Sequence, residues 1–214
     1  MIIKVLLADD HAIVADGLRA LLETHPDIKV TGIARNGREA VEQAGRLLPD
    51  VVVMDVTMPE LNGIDAMQKI HVAHPGVRVV MLSMHGTPEH IYRAVQAGAQ
   101  GYLLKDSAGT EVVRAVRAVH AGRRYFSAQI GDTMFDDYLH DWHSNSPLNQ
   151  LSSREREIVQ MVAEGRTSAQ IAQVLGLSPK SVETYRSRAM HKLKVSDVPG
   201  LVKLAIQYGL ISLD

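Results

Sequence analysis

The chain has 214 residues and a mass of 23.5 kDa, with 46% hydrophobic and 22% charged residues. This composition excludes a chain that is disordered throughout, because it supplies enough apolar side chains for a packed core. Cysteine is absent, which excludes disulfides, thiolate metal sites and cysteine nucleophiles. Aromatic residues make up only 4% of the chain, so stacking on nucleic-acid bases is not expected to be a main mode of binding.

Nothing in the sequence resembles a targeting or membrane segment. The N-terminal residues run directly into an apolar segment without a preceding basic stretch, so we expect no signal peptide. No stretch approaches the roughly 18 consecutive apolar residues that span a bilayer. We therefore expect a cytoplasmic protein with no membrane contact.

The net charge of −1 is unevenly distributed along the chain. Residues 1–127 carry 14 basic and 14 acidic side chains, whereas residues 128–150 carry four aspartates and no lysine or arginine. Residues 151–214 carry nine basic and six acidic side chains. A neutral part, an acidic connector and a basic end indicate separate modules, and the basic end favours a nucleic-acid partner.

Short apolar runs alternate with segments of helical periodicity through residues 1–125. The predicted strands are 3–8, 28–34, 51–54, 77–83 and 101–104. The predicted helices are centred on 18–22 and cover 39–48, 64–72, 89–97 and 111–121. The run 51–54 is apolar throughout, as is typical of a parallel strand buried on both faces. This alternation predicts an α/β doubly wound fold with a five-stranded parallel sheet.

The pattern changes after this first domain. Residues 126–147 are predicted to be a linker that is partly helical. The remaining residues, 148–214, predict a small all-α domain of four helices, which run from Ser152 to Gly165, from Ser168 to Leu175, from Ser178 to about Lys192 and from Asp197 to Gln207. A glutamate three residues after Ser152 matches a capping box, and Pro179 after Ser178 is typical of a first helical position.

The carboxyl ends of the predicted strands carry chemically informative residues. Open parallel sheets place their sites at these ends. The residues found there are Asp9, Asp10, Asp55, Ser83 and Lys105. Three neighbouring carboxylates repel one another unless a cation lies among them, and oxygen ligands suit Mg²⁺. With a lysine beside them, such carboxylates are suited to phosphoryl transfer in which one of the carboxylates accepts the phosphoryl group.

Each of these residues also has an ordinary structural interpretation. Asp9 and Asp10 can cap the helix that follows, and Asp55 can be a turn residue. Ser83 can be a hydroxyl at a strand end, and Lys105 a solvated charge. Their occurrence at successive strand ends of one predicted sheet favours the functional interpretation.

Four ordered motifs within residues 3–121 resemble the receiver domain of bacterial two-component response regulators, which has a flavodoxin-like fold. The motifs are Leu6-Leu7-Ala8-Asp9-Asp10-His11, Val53-Met54-Asp55-Val56-Thr57-Met58-Pro59, Val80-Met81-Leu82-Ser83 and Gly98-Ala99-Gln100-Gly101-Tyr102-Leu103-Leu104-Lys105.

The resemblance implies a role for each matching residue. Asp55 is expected to be the phosphoacceptor, with Ser83 contacting the phosphoryl group and Lys105 pairing with it. The expected Mg²⁺ ligands are Asp10 and Asp55 directly, Asp9 mostly through water and Thr57 through its backbone carbonyl. Tyr102 is expected to be an aromatic switch that turns toward the core when Ser83 is drawn inward.

The third helix of the C-terminal domain is strongly basic. Residues 178–194 contain five lysine and arginine residues and only one acidic residue, a glutamate. The preceding helix is joined to it by Gly176-Leu177, a turn short enough for a helix-turn-helix pair. A four-helix domain with a solvated basic face is the alternative interpretation.

Residues 151–211 resemble the LuxR-type helix-turn-helix of NarL/FixJ regulators. The matching segments are Leu151-Ser152-Ser153-Arg154-Glu155-Arg156-Glu157, Ile171-Ala172, Leu175-Gly176-Leu177-Ser178, Ser181-Val182-Glu183-Thr184-Tyr185 and Lys192-Leu193. The resemblance implies base contacts by Glu183, Thr184 and Ser187, and phosphate contacts by Lys180, Ser181, Arg186, Arg188 and Lys192. The fourth helix resembles the dimer contact of the family through Val198, Leu201, Val202 and Ala205, although these residues can equally be the cover of the third helix.

The two resemblances together predict a transcriptional regulator that is not an enzyme. Its expected partners are a sensor histidine kinase, promoter DNA and, on activation, a second copy of the chain. A receiver that no longer takes phosphate is the main alternative. A Mg²⁺-dependent phosphatase of the haloacid-dehalogenase type is disfavoured, because Asp55 is not followed two residues later by an acid. The ten histidines are dispersed, so no histidine metal site is expected, and His11 is interpreted as a residue of a helix start.

Overall fold

A computed structural model describes residues 2–84, 86, 88–128, 130 and 146–211. The chain forms two compact units, Met1–Asp141 and Trp142–Asp214. The linker helix expected from the sequence lies outside the described residues. None of the helices in the described part of the chain combines the length and apolar character needed to cross a membrane.

The first unit alternates strands and helices. Its strands are β1 (Ile3–Ala8), β2 (Ile28–Ala34), β3 (Val51–Asp55), β4 (Arg78–Ser83), β5 (Gly101–Leu104) and β6 (Tyr125–Phe126). Its helices are α1 (Ala12–Glu23), α2 (Gly37–Leu47), α3 (Gly63–Ala73), α4 (Pro88–Gln96) and α5 (Lys105–His120). All paired strands are parallel, in the order β2-β1-β3-β4-β5-β6. The predicted doubly wound α/β fold is confirmed.

The sheet has six strands in place of the predicted five. The additional strand pairs in parallel with β5, with Gly101 opposite Tyr125 and Tyr102 opposite Phe126. Two residues are too few for a period-2 pattern, so the sequence carries no signal for this strand. Phe126 and Ile130, which the sequence analysis assigned to the linker, pack against the core of the first unit.

Residues that alternate along the strands fill two apolar layers, one on each face of the sheet. Leu6, Val52 and Met54 pack with α2, α3 and α4 on one face. Val5 and Val53 pack with α1 and α5 on the other. Because both faces are covered, the central strands contain almost no polar side chain until they reach their carboxyl ends.

Helix α5 begins six residues before the predicted start at Glu111. Leu104 is its N-cap, so Lys105 is the first helical residue and follows β5 directly. The first turns of α5 contain Gly109 and two hydroxyl residues, which have low helix propensity. The sequence pattern therefore did not indicate a helix before Glu111. This early start places Lys105 at the same edge of the sheet as the ends of β1 and β3.

The second unit is entirely helical, as predicted. A 3₁₀ turn (Pro147–Gln150) precedes α6 (Ser153–Ala163), α7 (Ser168–Leu175), α8 (Pro179–Leu193) and α9 (Val198–Gln207). The capping box of α6 is confirmed, with Ser152 and Glu155 bonding to each other's backbone. Ser178 caps α8 as predicted, and α7 spans the predicted range Ser168–Leu175 with Thr167 as its N-cap.

The link between α7 and α8 is a tight turn. Gly176 ends α7 at a φ of 64°, a left-handed conformation that favours glycine because it has no Cβ. The inner face of α8, with Val182, Ala189 and Leu193, packs into one apolar core with α6, α7 and α9. The outer face of α8 is exposed.

Asp27 and Arg117 form an exposed two-bond ion pair that joins α5 to the loop before β2. The guanidinium donates to the two carboxylate oxygens at 2.8 and 2.7 Å. The hydrogen bond from Arg117 lowers the pKa of Asp27 from 3.8 to about 2. Because the pKa is depressed in the folded state, the stability that the pair adds is present above the unfolded-state pKa. That stability is lost as the pH falls toward 2.

We therefore expect Asp27→Asn to lower the unfolding free energy slightly at neutral pH and not at all near pH 2, where Asp27 is protonated. Exposed ion pairs contribute little, so the effect is small. Measuring the difference in unfolding free energy between wild type and variant from neutral pH down to about 2 checks this. A difference that stays constant over this range would contradict the assignment.

Candidate functional site

The acidic residues and the lysine predicted from the strand ends do meet at one edge of the sheet. Asp9 directly follows β1, and Asp55 is the last residue of β3. Ser83 is the last residue of β4, and Lys105 is the first residue of α5. The carboxyl ends of adjacent parallel strands converge here, which is why residues far apart in sequence become neighbours.

Lys105 bridges two carboxylates at this edge. Its Nζ donates to Oδ2 of Asp55 at 2.8 Å and lies 2.9 Å from Oδ2 of Asp9. All three side chains are more than nine-tenths buried. The backbone N–H of Thr57 donates to the other oxygen of Asp55 at 3.3 Å. Asp55 is thus held with one oxygen on an ammonium group and the other on the loop after β3.

Burial changes the acidity of the groups in this pocket. Burial raises the pKa of Asp55 to about 6, with the charge of Asp9 adding to the rise and that of Lys105 opposing it. For Lys105, burial disfavours the charged form, but the charges and hydrogen bonds of Asp55 and Asp9 prevail and raise its pKa. The lysine therefore stays charged at neutral pH, and Asp55 is mainly a carboxylate.

The donor set fits a hard divalent cation. Ligand atoms of Asp9, Asp10, His11 and Asp55 all lie within 4.8 Å of one another. Three carboxylates outnumber the single ammonium of Lys105, which leaves excess negative charge in a buried place. Carboxylate oxygens are the ligands that Mg²⁺ prefers, and the partly exposed Asp10 leaves room for the waters that this ion keeps.

His11 was not among the predicted site residues, yet its half-exposed ring lies against the acidic pair at the edge of the pocket. It is the N-cap of α1, as the sequence analysis expected, but its side chain makes no capping bond. Its Nδ1 lies 3.3 Å from Asp9 Oδ1 and 3.1 Å from Asp10 Oδ1. The available signal was its position directly after the acidic pair.

Tyr102 and Ser83 are both buried beside the pocket. Tyr102 is the largest fully buried side chain in the described part of the chain. Burial raises its pKa, while the nearby Ser83 hydroxyl lowers it and the charge of Asp55 raises it further. Tyr102 therefore already lies in the core in this structure, and its expected movement together with Ser83 stays a prediction.

The outer face of α8 carries most of the residues predicted to contact DNA. The exposed ones are Lys180, Glu183, Thr184, Ser187, Arg188 and Lys192, while Ser181 and Arg186 are half-buried. These positions recur every three or four residues, so they form one continuous surface. His191, which the sequence analysis did not single out, is also exposed and lines a cleft with Ser187 and Arg188.

Two of the residues predicted for dimer contacts are instead part of the domain's own core. Leu201 and Ala205 are fully buried, and α9 packs against α6. The assignment of these two residues to a dimer surface is corrected, because a side chain without exposed area cannot reach a second chain. Val198 is 41% exposed and Val202 is half-buried, so only these two keep accessible surface.

Comparison with known families agrees with both domains. Residues 5–117 match the response regulator receiver domain, and residues 149–205 match the luxR family of bacterial regulatory proteins. The chain belongs to the two-component response regulators with a receiver domain and a LuxR-type helix-turn-helix, the NarL/FixJ type.

Individual relatives match over nearly the whole chain. The transcriptional regulatory protein MctR of Rhizobium johnstonii is 39% identical over 98% of this chain and 96% of its own length. The response regulator UvrY of Escherichia coli K12 is 39% identical over 97% of this chain and 95% of its own length. Among solved structures, the complex of the two-component response regulator RcsB with DNA has a TM-score of 0.59 at 25% identity, covering 95% of this chain and 98% of RcsB.

Proposed function

We propose that this regulator is switched by transfer of a phosphoryl group from a sensor histidine kinase to Asp55. The observation that carries the proposal is the buried arrangement in which Lys105 holds Asp55 and Asp9 at 2.8 and 2.9 Å. The same place is where a family receiver is expected to accept phosphate. Position 57 is a threonine, so this chain lacks the acid that a haloacid-dehalogenase phosphatase needs two positions after its nucleophile.

The chain's own residues account for the transfer. An oxygen of the Asp55 carboxylate attacks the phosphorus, the bond from phosphorus to the leaving group breaks, and the leaving group keeps the bonding electron pair. Lys105 lies where its charge compensates the negative charge of the arriving phosphoryl oxygens. Ser83, at the end of the neighbouring strand, supplies a hydroxyl for one of these oxygens.

Asp9, Asp10 and Asp55 would hold Mg²⁺, with the backbone carbonyl of Thr57 as a further ligand. The bound cation supplies charge neutralisation between the carboxylates and the phosphoryl oxygens. Asp9 and Asp10 orient this site through β1, which ends directly before them.

Phosphorylation is proposed to shift an equilibrium between two packings around Ser83 and Tyr102. A ligand that binds one packing better raises the population of that packing. The response would reach the surface made by α4, β5 and α5, or that made by α1 and α5, and favour a dimer. In the second unit, the accessible surface at Val198 and Val202 is the proposed contact between two copies.

The exposed face of α8 is proposed to enter the major groove of promoter DNA. Glu183, Thr184 and Ser187 would meet base edges, as the early residues of recognition helices do. The phosphate contacts are proposed for Lys180, Ser181, Arg186 and Arg188. The solved complex of RcsB with DNA, which resembles this chain along 95% of its length, supports this role for the second unit.

Incubating the full chain with acetyl phosphate and Mg²⁺ tests the proposal. We expect one phosphoryl group per chain by mass spectrometry, and we expect chelation of the metal to prevent its addition. A chain that stays unmodified while still binding DNA would support the alternative of a phosphorylation-independent receiver.

A second expected result concerns assembly. Phosphorylated chain should bind a duplex with two inverted half-sites as a dimer, and unphosphorylated chain should bind it more weakly. Light scattering with and without acetyl phosphate measures the mass, and titration of the labelled duplex measures the affinity. Equal affinity and equal mass in both states would contradict coupling between the domains.

A further inference from the structure

Lys192 is in the last turn of α8, and its side chain reaches toward α6. Its Nζ lies 2.6 Å from Oε2 of Glu155, near the start of α6. The Glu155 side chain is 5% exposed and that of Lys192 is 40% exposed. The two residues are 37 positions apart, so this single ion pair ties the end of α8 to the start of α6.

Glu155 is itself fixed by the capping box. The same Oε2 accepts the backbone N–H of Ser152 at 2.8 Å, and the Ser152 hydroxyl accepts the backbone N–H of Glu155 at 3.3 Å. Burial alone would raise the pKa of Glu155, but the bonds from Lys192 and Ser152 prevail and lower it. The carboxylate is therefore charged at neutral pH and has a fixed position. Loss of the lysine would leave a buried charge with one donor fewer.

The ion pair borders the surface that is proposed to read DNA. Glu155, Lys192, Ser187, Arg188 and His191 line one cleft between the two helices. Ser187 and Arg188 are on the same helix as Lys192. If the end of α8 moves away from the start of α6, these two residues therefore move relative to the rest of the domain. Misplacement of this kind weakens sequence-specific contacts more than contacts to the backbone, because base edges demand closer alignment.

We infer that Lys192 is a positioning residue, which sets the angle of α8 through Glu155, and that it does not contribute a phosphate contact. This assignment rests on the proposed use of α8 for DNA recognition. It replaces the role that family resemblance assigned to Lys192.

The salt dependence of DNA affinity separates the two roles. Each phosphate contact contributes about −0.9 to the slope of the logarithm of the binding constant against the logarithm of salt concentration. For Lys192→Gln in the full chain, we expect specific binding to fall about tenfold, since the loss of one well-aligned base contact weakens specific binding by about that factor. The slope should remain that of wild type. The probes are a duplex that wild type selects from a random-sequence pool and an unselected duplex of equal length.

Glu155→Gln supplies the second half of the test. Glutamine can preserve the capping box, so the start of α6 is kept while the partner charge of Lys192 is removed. We expect Lys192→Gln to cause no further loss of specific affinity in the Glu155→Gln background. If Lys192 instead contacts a phosphate, its substitution should cost as much in that background as in wild type.

Matched controls complete the experiment. Lys203→Gln removes the same charge from an exposed site on α9 and should change neither affinity nor slope beyond the general effect of one charge. Lys180→Gln, at a proposed phosphate contact, should reduce the steepness of the slope by about 0.9. All variants are compared where calorimetry shows them folded. A reduced slope for Lys192→Gln, or additive losses with Glu155→Gln, would overturn the inference; a wild-type chain that selects no duplex would count against the proposed DNA recognition itself.

Discussion

Asp55→Asn is expected to abolish Mg²⁺-dependent phosphorylation of the chain. The amide is nearly the same size as the carboxylate, so the packing at the end of β3 is kept. It cannot act as the nucleophile, and it takes away one of the three charges that favour a cation in the pocket. Incorporation of phosphate from acetyl phosphate, followed by intact-mass spectrometry, measures the effect.

Two comparisons make this result specific to the acceptor. Asp16→Asn makes the same chemical change at an exposed position of α1 and should leave the labelling rate unchanged. Phosphate bound to a carboxylate is an acyl phosphate, so hydroxylamine should release it from wild type. Labelling of Asp55→Asn at the wild-type rate would show that another residue accepts the phosphoryl group.

Gly63→Ala is expected to destabilise the first unit by about 3 kcal/mol or more, a large cost for a single methyl group. Gly63 is the first residue of α3, and its N–H donates to the Val56 carbonyl at 2.8 Å. A Cβ built there would lie 1.9 Å from the carbonyl oxygen of Asp55 and 3.0 Å from its carbonyl carbon. Since both atoms belong to the backbone, no side-chain rotation can relieve the clash.

The same substitution should also impair phosphorylation, because the atoms that must move belong to the acceptor residue. Gly17→Ala is the matched control, since a Cβ at this exposed site in α1 meets nothing within 4 Å. There alanine should stabilise the helix by about 0.5–1 kcal/mol. Hydrogen exchange of the β3 amides in the full chain reports the unfolding free energy of this unit by itself. Equal protection in Gly63→Ala and wild type would contradict the prediction.

Much of the pocket could be predicted from the sequence. Asp9, Asp55, Ser83 and Lys105 each follow or end an apolar run, and parallel strands bring such ends to one edge. The same logic could not predict the contact of His11 with the carboxylates, because adjacency to an acidic pair does not determine where an imidazole ring points. Its contact with Asp9 and Asp10 depends on the backbone turn into α1.

In the helical domain, too, some features could be predicted from the sequence and others could not. The capping residues Ser152 and Ser178 were predictable, because caps are local hydrogen bonds set by residues three positions apart. The burial of Leu201 and Ala205 was not, since an apolar helical stripe has the same period whether it covers a neighbouring helix or a second chain. Packing against α6 decided between these possibilities.

The order of the elements, the two-domain organisation and the chemistry at the strand ends follow from the sequence alone, because periodicity and capping are local properties. The pairing of β6 with β5, the burial of the Lys105 bridge and the ion pair between Lys192 and Glu155 depend on how the elements pack in three dimensions. The two residues of that last pair are 37 positions apart, and no local pattern in the sequence couples them. The two partners of each contact come within bonding distance only when the helices and strands have packed, and a buried ion pair then offsets the loss of its hydration only where the geometry is good.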